Sequence, residues 1–284
     1  MEKIVILTDS SCDLTQDIIK KHNIEIVPLQ IAYLNEVFKD NVDISSDDVY
    51  KRMPQEIPTT SMPSPQDVLN KFEYIKEKGF THCIAITISS GLSGTYQMID
   101  MVAKPIKNLE IRVIDSKIVS LGLGFLALDA AKMVEEGMNF ISIINKIEDK
   151  IKKVKGFFII ESLEYLKKGG RIDKFSALLG TILNIKPVIS LDEEGKYYLY
   201  SKIRGRQQGI QKIMEALSDM CTKYKLLDIG IPYAVVFEEA KKLAQQIKQQ
   251  FSNAINEVLI TPISPALGVH GGPGLLGVVI YPVQ

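Results

Sequence analysis

Along the first half of the chain, short apolar runs alternate with polar-faced segments of helical period. IVIL (residues 4–7) is followed by LTQDIIKKH, IEIVPLQIAYL by SSDDVYKRM, CIAITI (83–88) by a helix opening after Gly94, and IRVID (111–115) by a long helical run. This alternation predicts a parallel, doubly wound sheet with helical crossovers. Ligands of such sheets sit beyond the carboxyl ends of the strands, where three Ser/Thr-rich turns emerge: TDSS (8–11), TISSGLSGT (87–95) and IDS (114–116). Taken singly, each turn also reads as an ordinary helix cap. KIVSLGLGFLALDAAKM (117–133) is apolar on nearly every face and predicts a buried helix. Gly122 and Gly124 either serve its packing or leave an apolar channel beside Leu121, Leu123, Phe125 and Leu126.

A helix over about 140–155, basic at its end, leads out of a first domain spanning 1–155. The remainder, 156–284, carries the strand-like runs FFII, KPVIS, KYYLYSKI, LLDIGI, INEVLI and LGVVIYPV but only two long helical patterns, 209–224 and 238–251. That balance predicts a mixed or largely antiparallel sheet with helices on one face, and DEEGK (192–196) marks a hairpin within it. The fold class is therefore α/β: an N-terminal parallel α/β domain plus a C-terminal α/β domain with a mainly antiparallel sheet.

Composition narrows the function. With 284 residues, 46% of them hydrophobic, the chain can fill two cores, while 34 basic and 34 acidic residues leave no global field for nucleic acid or an anionic membrane. Cys12, Cys83 and Cys221 are scattered and odd in number, against a disulfide framework or structural zinc and in keeping with a reducing compartment. The opening MEKIVILTDS is too quickly polar for a signal peptide and no stretch reaches membrane-spanning length, so a soluble, cytoplasmic protein is expected.

Candidate chemistry lies in a few places. In SSGLSGT (89–95) an apolar strand runs into a glycine- and hydroxyl-rich helix start, the arrangement that cradles an anion, or else simply a capped turn. It has neither the lysine of a phosphate loop nor the spacing of a dinucleotide loop. Four prolines stiffen PQEIPTTSMPSPQDV (54–68), whose end predicts a helix capped by Ser64 with Pro65 and Asp67 in its first turn. Thr59, Thr60 and Ser61 are thereby either aimed hydroxyls or part of a rigid surface connection. Of three histidines, His22 is expected to face solvent and His82 to be structural, while His270 sits in the glycine- and proline-rich LGVHGGPGLLG (267–277). Arg171 follows two glycines in KKGGRID (167–173), and Arg204 and Arg206 share one side of an extended segment in KIRGRQQ (202–208). Arginine forks suit carboxylate or phosphate, although each taken alone reads as a solvated charge at an element end.

In order, VILTDSSCDL, TTSMPS, TISSGLSGTYQ, VIDS, LKKGGRI, LNIKPVI, RGR and GVHGGPGLLG make the chain similar, over essentially its whole length, to the DegV family of bacterial fatty acid-binding proteins. The resemblance implies two α/β domains with one long-chain fatty acid buried between them. It implies Thr60, Ser61 and Ser93 as carboxylate ligands, the direct bond being left open between Thr60 and Ser61, with a backbone N–H from Gly94 and His270 completing the network. Arg171, Arg204 and Arg206 then lie near the head-group mouth, for head-group or partner contact. The resemblance further implies a carrier, not an enzyme, that presents its cargo to a fatty acid kinase for acyl-phosphate formation. Such a carrier is a monomer with transient membrane contact and no cofactor beyond the bound fatty acid. Met62 stands where the family commonly has glutamine, and GIPYAVV (230–236) lacks a histidine often found there. The alternatives are an acyl or phosphoryl transfer enzyme using Ser93 and His270, and a phosphate- or nucleotide-binding regulator. The first has no G-x-S-x-G elbow and no evident acid to orient the histidine.

Overall fold

The computed structural model describes residues 2–172 and 186–283. In chain order the elements are β1 (Ile4–Asp9), α1 (Gln16–Lys21), β2 (Ile24–Val27), β3 (Gln30–Ala32), β4 (Val37–Lys39), α2 (Ser46–Arg52), β5 (Thr59–Ser61), α3 (Pro65–Glu77), β6 (His82–Thr87), α4 (Thr95–Ala103) and β7 (Glu110–Asp115). There follow α5 (Leu121–Glu135), α6 (Phe140–Ile151), β8 (Lys155–Ile159), α7 (Glu164–Lys168), β9 (Lys186–Leu191), β10 (Tyr197–Ile203), α8 (Arg206–Lys223), β11 (Leu227–Tyr233), α9 (Phe237–Gln250), β12 (Ile255–Pro262), α10 (Pro265–Gly271) and β13 (Leu276–Pro282).

The first half builds the predicted parallel sheet, in the order β2-β1-β6-β7. Its central strands β1 and β6 are almost wholly buried because both faces are covered, while the edge strands β2 and β7 carry Glu25, Glu110 and Arg112. Val5, Leu7, Cys83 and Ala85 pack with Val68, Phe72 and Ile99 of α3 and α4, while Ile4, Ile6, Ile84 and Ile86 pack with α5 and α6. IEIVPLQIAYL does not form one strand. Pro28 brings no N–H to a ladder, and the Leu29 N–H is bonded at 3.0 Å to Ser10 Oγ. The run therefore divides: β2 stays in the parallel sheet and β3 founds a small antiparallel sheet, β4-β3-β5.

The second half forms a six-stranded sheet, β10-β9-β8-β13-β11-β12, antiparallel at every pairing except β11 with β12. The hairpin over 192–196 joins β9 to β10, with the Asp192 N–H bonded to the Lys196 carbonyl at 3.0 Å. Helices α8 and α9 cover one face. Against the other lies α5, held between the two sheets, which explains why it is apolar all round. It starts at Leu121, four residues later than the apolar pattern suggests, since Lys117 and Ser120 adopt positive φ of 56° and 60°. Its glycines leave no channel. A Cβ on Gly124 would stand 2.4 Å from the Cys12 carbonyl, and one on Gly122 2.4 Å from Ile118 Cγ1, so both glycines are contact points.

His22 departs from expectation. Its side chain is only 10% exposed, with Nδ1 2.9 Å from Glu135 Oε1 at the end of α5. His82 is structural as expected, packing on Phe140 with ring centroids 4.8 Å apart. Among the described residues no helix is long and apolar enough to cross a membrane.

Candidate functional site

The three turns beyond the parallel strands do meet, laced together by two carboxylates, one buried at Asp9 and one partly buried at Asp115. Asp9 Oδ2 accepts the Ile88 N–H at 2.7 Å, and Asp115 Oδ1 accepts the Ser90 N–H at 2.9 Å. The 87–95 turn then runs onto the β9–β10 hairpin. Ser89 Oγ donates to the Gly195 carbonyl at 2.7 Å, and a Cβ on Gly91 would lie 2.7 Å from the Glu194 carbonyl oxygen. Ser89 and Gly91 therefore dock one half of the chain on the other, leaving the end of the turn for a ligand. Ser93 Oγ is there, 2.8 Å from Thr95 Oγ1 and accepting the Thr95 N–H at 3.3 Å, and Gly94 is the N-cap of α4, with no side chain of its own to cap the helix. A glycine N-cap leaves the N–H groups beyond Thr95 without a side-chain acceptor from the N-cap position, the kind of helix start that suits an anion.

The TTS loop approaches from the small sheet. Thr60 is paired with Ile31, and Ser61 with Gln30. Successive side chains of a strand point to opposite faces, so Thr60 turns inward with the fully buried Ile31 while Ser61 bonds Gln30 Oε1 at 3.2 Å on the other face. Thr60 Oγ1 lies 2.6 Å from His270 Nε2. His270 belongs to the last turn of α10, a short helix capped by Ser264 with Pro265 at its first position, and not to an irregular loop. The irregular backbone follows it, at Gly272 and Gly274 with φ of +71° and +88°. Burial, aided by the Arg171 charge, pushes the imidazole down to about 3, so it is neutral at ordinary pH. Its Nδ1 is buried without a hydrogen-bond partner, against Gly169, where a Cβ would stand 2.0 Å away.

The arginines separate. Arg171 reaches the site, its Nη1 donating to the Gly169 carbonyl at 2.6 Å and its Nε to the Leu92 carbonyl at 3.2 Å. It fastens the loop after α7 to the 87–95 turn. Arg204 and Arg206 do not share an extended segment, because β10 ends at Ile203 and Arg206 opens α8. Arg206 is locked by Glu161 at 2.9 Å, Glu239 at 2.6 Å and the Gly274 carbonyl at 2.6 Å, whereas Arg204 is exposed. Neither lines the cavity at the TTS loop. Asp173, from the KKGGRID segment, and residues 183–185, from LNIKPVI, lie outside the described residues.

Thr60, Ser61, Ser93, Arg171, Tyr197 and His270 border a cavity of about 30 Å³. Behind it a second, of about 20 Å³, is lined by apolar groups including Phe158, Ile160, Leu166, Ile189 and Leu275. Tyr197 and Leu267 belong to both walls and stand between them. A larger cleft of about 790 Å³ runs along the edge of β7, but charged side chains such as Arg112, Glu148, Lys152 and Glu193 line it and none of the convergent hydroxyls does. The convergent hydroxyls and His270 line the small cavity instead. The sequence patterns do not single out Tyr197, Asp13 or Asp40. Asp13 falls within the VILTDSSCDL motif, and nothing local distinguishes Tyr197 or Asp40. No group of His, Cys, Asp and Glu among the described residues is placed to hold a metal.

The comparisons agree with this architecture. Residues 3–283 match the profile described as uncharacterised protein, DegV family. A DegV domain-containing protein of Clostridium acetobutylicum is 40% identical over 282 residues, 99% of each chain. Among solved structures, a DegV family protein from Thermus thermophilus, described by its fatty acid binding, superposes with a TM-score of 0.92 at 29% identity, covering 99% of this chain and 100% of its own. A stearic acid-binding protein from Eubacterium ventriosum gives 0.88 at 28% identity, covering 99% and 98%. Matched from end to end in sequence and in fold, the chain belongs to the DegV family.

Proposed function

We propose that this protein binds one long-chain fatty acid where its two halves meet, and presents the carboxylate to a fatty acid kinase. The observation that carries the reading is the Thr60–His270 pair beside Ser93, opening on apolar cavities in a fold shared with fatty acid-binding relatives. With the imidazole neutral, Nε2–H donates to Thr60 Oγ1, which frees the Thr60 hydroxyl to donate to the carboxylate. In that tautomer the unpartnered Nδ1 is a bare lone pair and not an orphaned N–H. The Ser93 hydroxyl and the N-terminus of α4 supply further donors to an anion that would otherwise be costly to bury.

The tail supplies the affinity. At about 0.8 kcal/mol per buried CH₂, a sixteen-carbon chain offers roughly 10 kcal/mol of gross burial. Cavities of about 30 and 20 Å³ hold little more than a water each, so Tyr197 and Leu267 swing apart as the chain enters. The kinase then transfers the γ-phosphoryl group of ATP to the carboxylate held at the rim, giving the acyl phosphate. A transfer enzyme built on Ser93 and His270 is disfavoured, because Ser93 is bonded to Thr95 and His270 to Thr60, so nucleophile and base are not paired. Native mass spectrometry of protein purified without added lipid tests the reading. One non-covalent fatty acid per chain is expected; a covalent adduct on Ser93, or no lipid together with no binding of added oleate, would overturn it.

A further inference from the structure

Two carboxyl groups that the head-group chemistry does not use are buried behind it. Asp13, in the left-handed region at φ 54°, and Asp40, which follows β4, are 6% and 1% exposed, and neither has a cationic partner among its hydrogen bonds. Both point at the start of α10. Asp13 Oδ1 accepts the Ser264 N–H at 2.7 Å, and Asp40 Oδ1 accepts the Ala266 N–H at 3.0 Å. Their second oxygens are tied elsewhere, Asp13 Oδ2 to Ser120 Oγ and Asp40 Oδ2 to Ser10 Oγ, both at 2.5 Å. Thus α10, which comes from the end of the chain, is fixed to the loops around β1 and β4 across sequence separations of 251 and 226 residues.

Asp40 has a further connection. Its N–H bonds the Leu29 carbonyl at 2.9 Å, where the small sheet begins, and that sheet carries Thr60 on β5. One residue therefore spans both partners of the head-group pair: its backbone belongs to the frame that holds Thr60, and its carboxyl group holds the helix that ends in His270. We propose that Asp40, together with Asp13, is a positioning residue for the head-group site, setting His270 against Thr60 by holding the N-terminus of α10. Neither touches the ligand. This rests on the function proposed above, but the link from Asp40 to His270 has its own readout.

The test compares the wild type with Asp40→Ala, Asp13→Ala and Asp40→Asn by oleate titration and by NMR titration of the His270 imidazole. Removing a buried acceptor from a helix-start N–H is expected to weaken oleate binding about tenfold or more in the alanine variants. It is also expected to let water reach the ring, so that His270 titrates nearer its ordinary value of about 6.5. Asp40→Asn keeps an oxygen for Ala266 and an N–H for Ser10, and is expected to bind within about threefold of wild type with the His270 titration unmoved. Folded alanine variants with wild-type affinity and wild-type His270 titration overturn the proposal. So does an Asp40→Asn variant that loses binding, and so do alanine variants that fail to fold, since the carboxyl groups then serve the fold as a whole. If the wild type binds no oleate the function reading fails, while the His270 titration in Asp40→Ala still decides the positioning link.

Discussion

Thr60 and Ser61 are neighbours with the same functional group, yet the strand register gives them opposite surroundings, and their substitutions are expected to differ accordingly. Thr60→Val leaves the His270 Nε2–H buried without an acceptor, an expense of about 1–3 kcal/mol that isothermal titration with oleate should register as a loss of roughly tenfold or more in affinity. Ser61→Ala loses a bond to Gln30 and a hydroxyl at the cavity's edge but none to His270, and should weaken binding less than Thr60→Val. A larger effect at Ser61 than at Thr60 would reverse the assignment. The buried titratable groups set opposing pH dependences. Burial pushes Asp13 up to about 8 and Asp40 up to about 7, so the folded state holds protons that the unfolded chain releases. Their contribution is full below about pH 4 and is lost as pH rises to those values. His270, pushed down to about 3, contributes above about pH 6.5 and loses that contribution as pH falls. From about pH 6.5 to about 8 the His270 contribution is complete while those of the aspartates are still being lost, so urea midpoints should decline across that interval in the wild type and decline less steeply in Asp13→Asn. A flat wild-type profile would contradict the burial argument.

Among the elements, several glycines mark where the backbone is approached too closely for a side chain. A Cβ at Gly169 would stand 2.0 Å from His270 Nδ1, and the ring has no room to retreat because α10 is pinned at its other end by Asp13 and Asp40. Gly169→Ala is therefore expected to abolish tight oleate binding, even where circular dichroism reports a folded chain. Gly124→Ala presses a methyl group on the Cys12 carbonyl at 2.4 Å and should cost about 1–3 kcal/mol in chemical denaturation, since backbone yields less readily than a side chain. The start of α3 was legible in the sequence: Ser64 caps it, and its hydroxyl accepts the Asp67 N–H at 3.0 Å. Other features depended on contacts remote in the sequence. The apolar run at 117 begins as a left-handed turn, and the segment from Ile24 divides at a proline between two sheets. In each case hydropathy registers burial without registering which neighbour supplies it.

For the molecule as a whole, ligand binding should appear as stability. Oleate at a hundredfold excess over its Kd is expected to add about 2.7 kcal/mol, raising the thermal midpoint, whereas ATP alone should leave it unchanged; a shift with ATP alone would favour a nucleotide-binding regulator. The two sheets share α5 and one continuous core, so expansion of the small cavities around Tyr197 moves side chains that belong to both. By itself the sequence determined the alternation of strands and helices, the parallel and mainly antiparallel halves, the hairpin over 192–196 and the set of hydroxyls, because these follow from local periodicity, turn chemistry and an ordered series of motifs. Only the tertiary structure decided that Thr60 and not Ser61 meets His270, that Arg206 is locked in ion pairs while Arg171 reaches the cavity, and that Asp13 and Asp40 hold α10. Those relations join residues as much as 251 positions apart, and no local pattern encodes a contact made by strand register and chain closure.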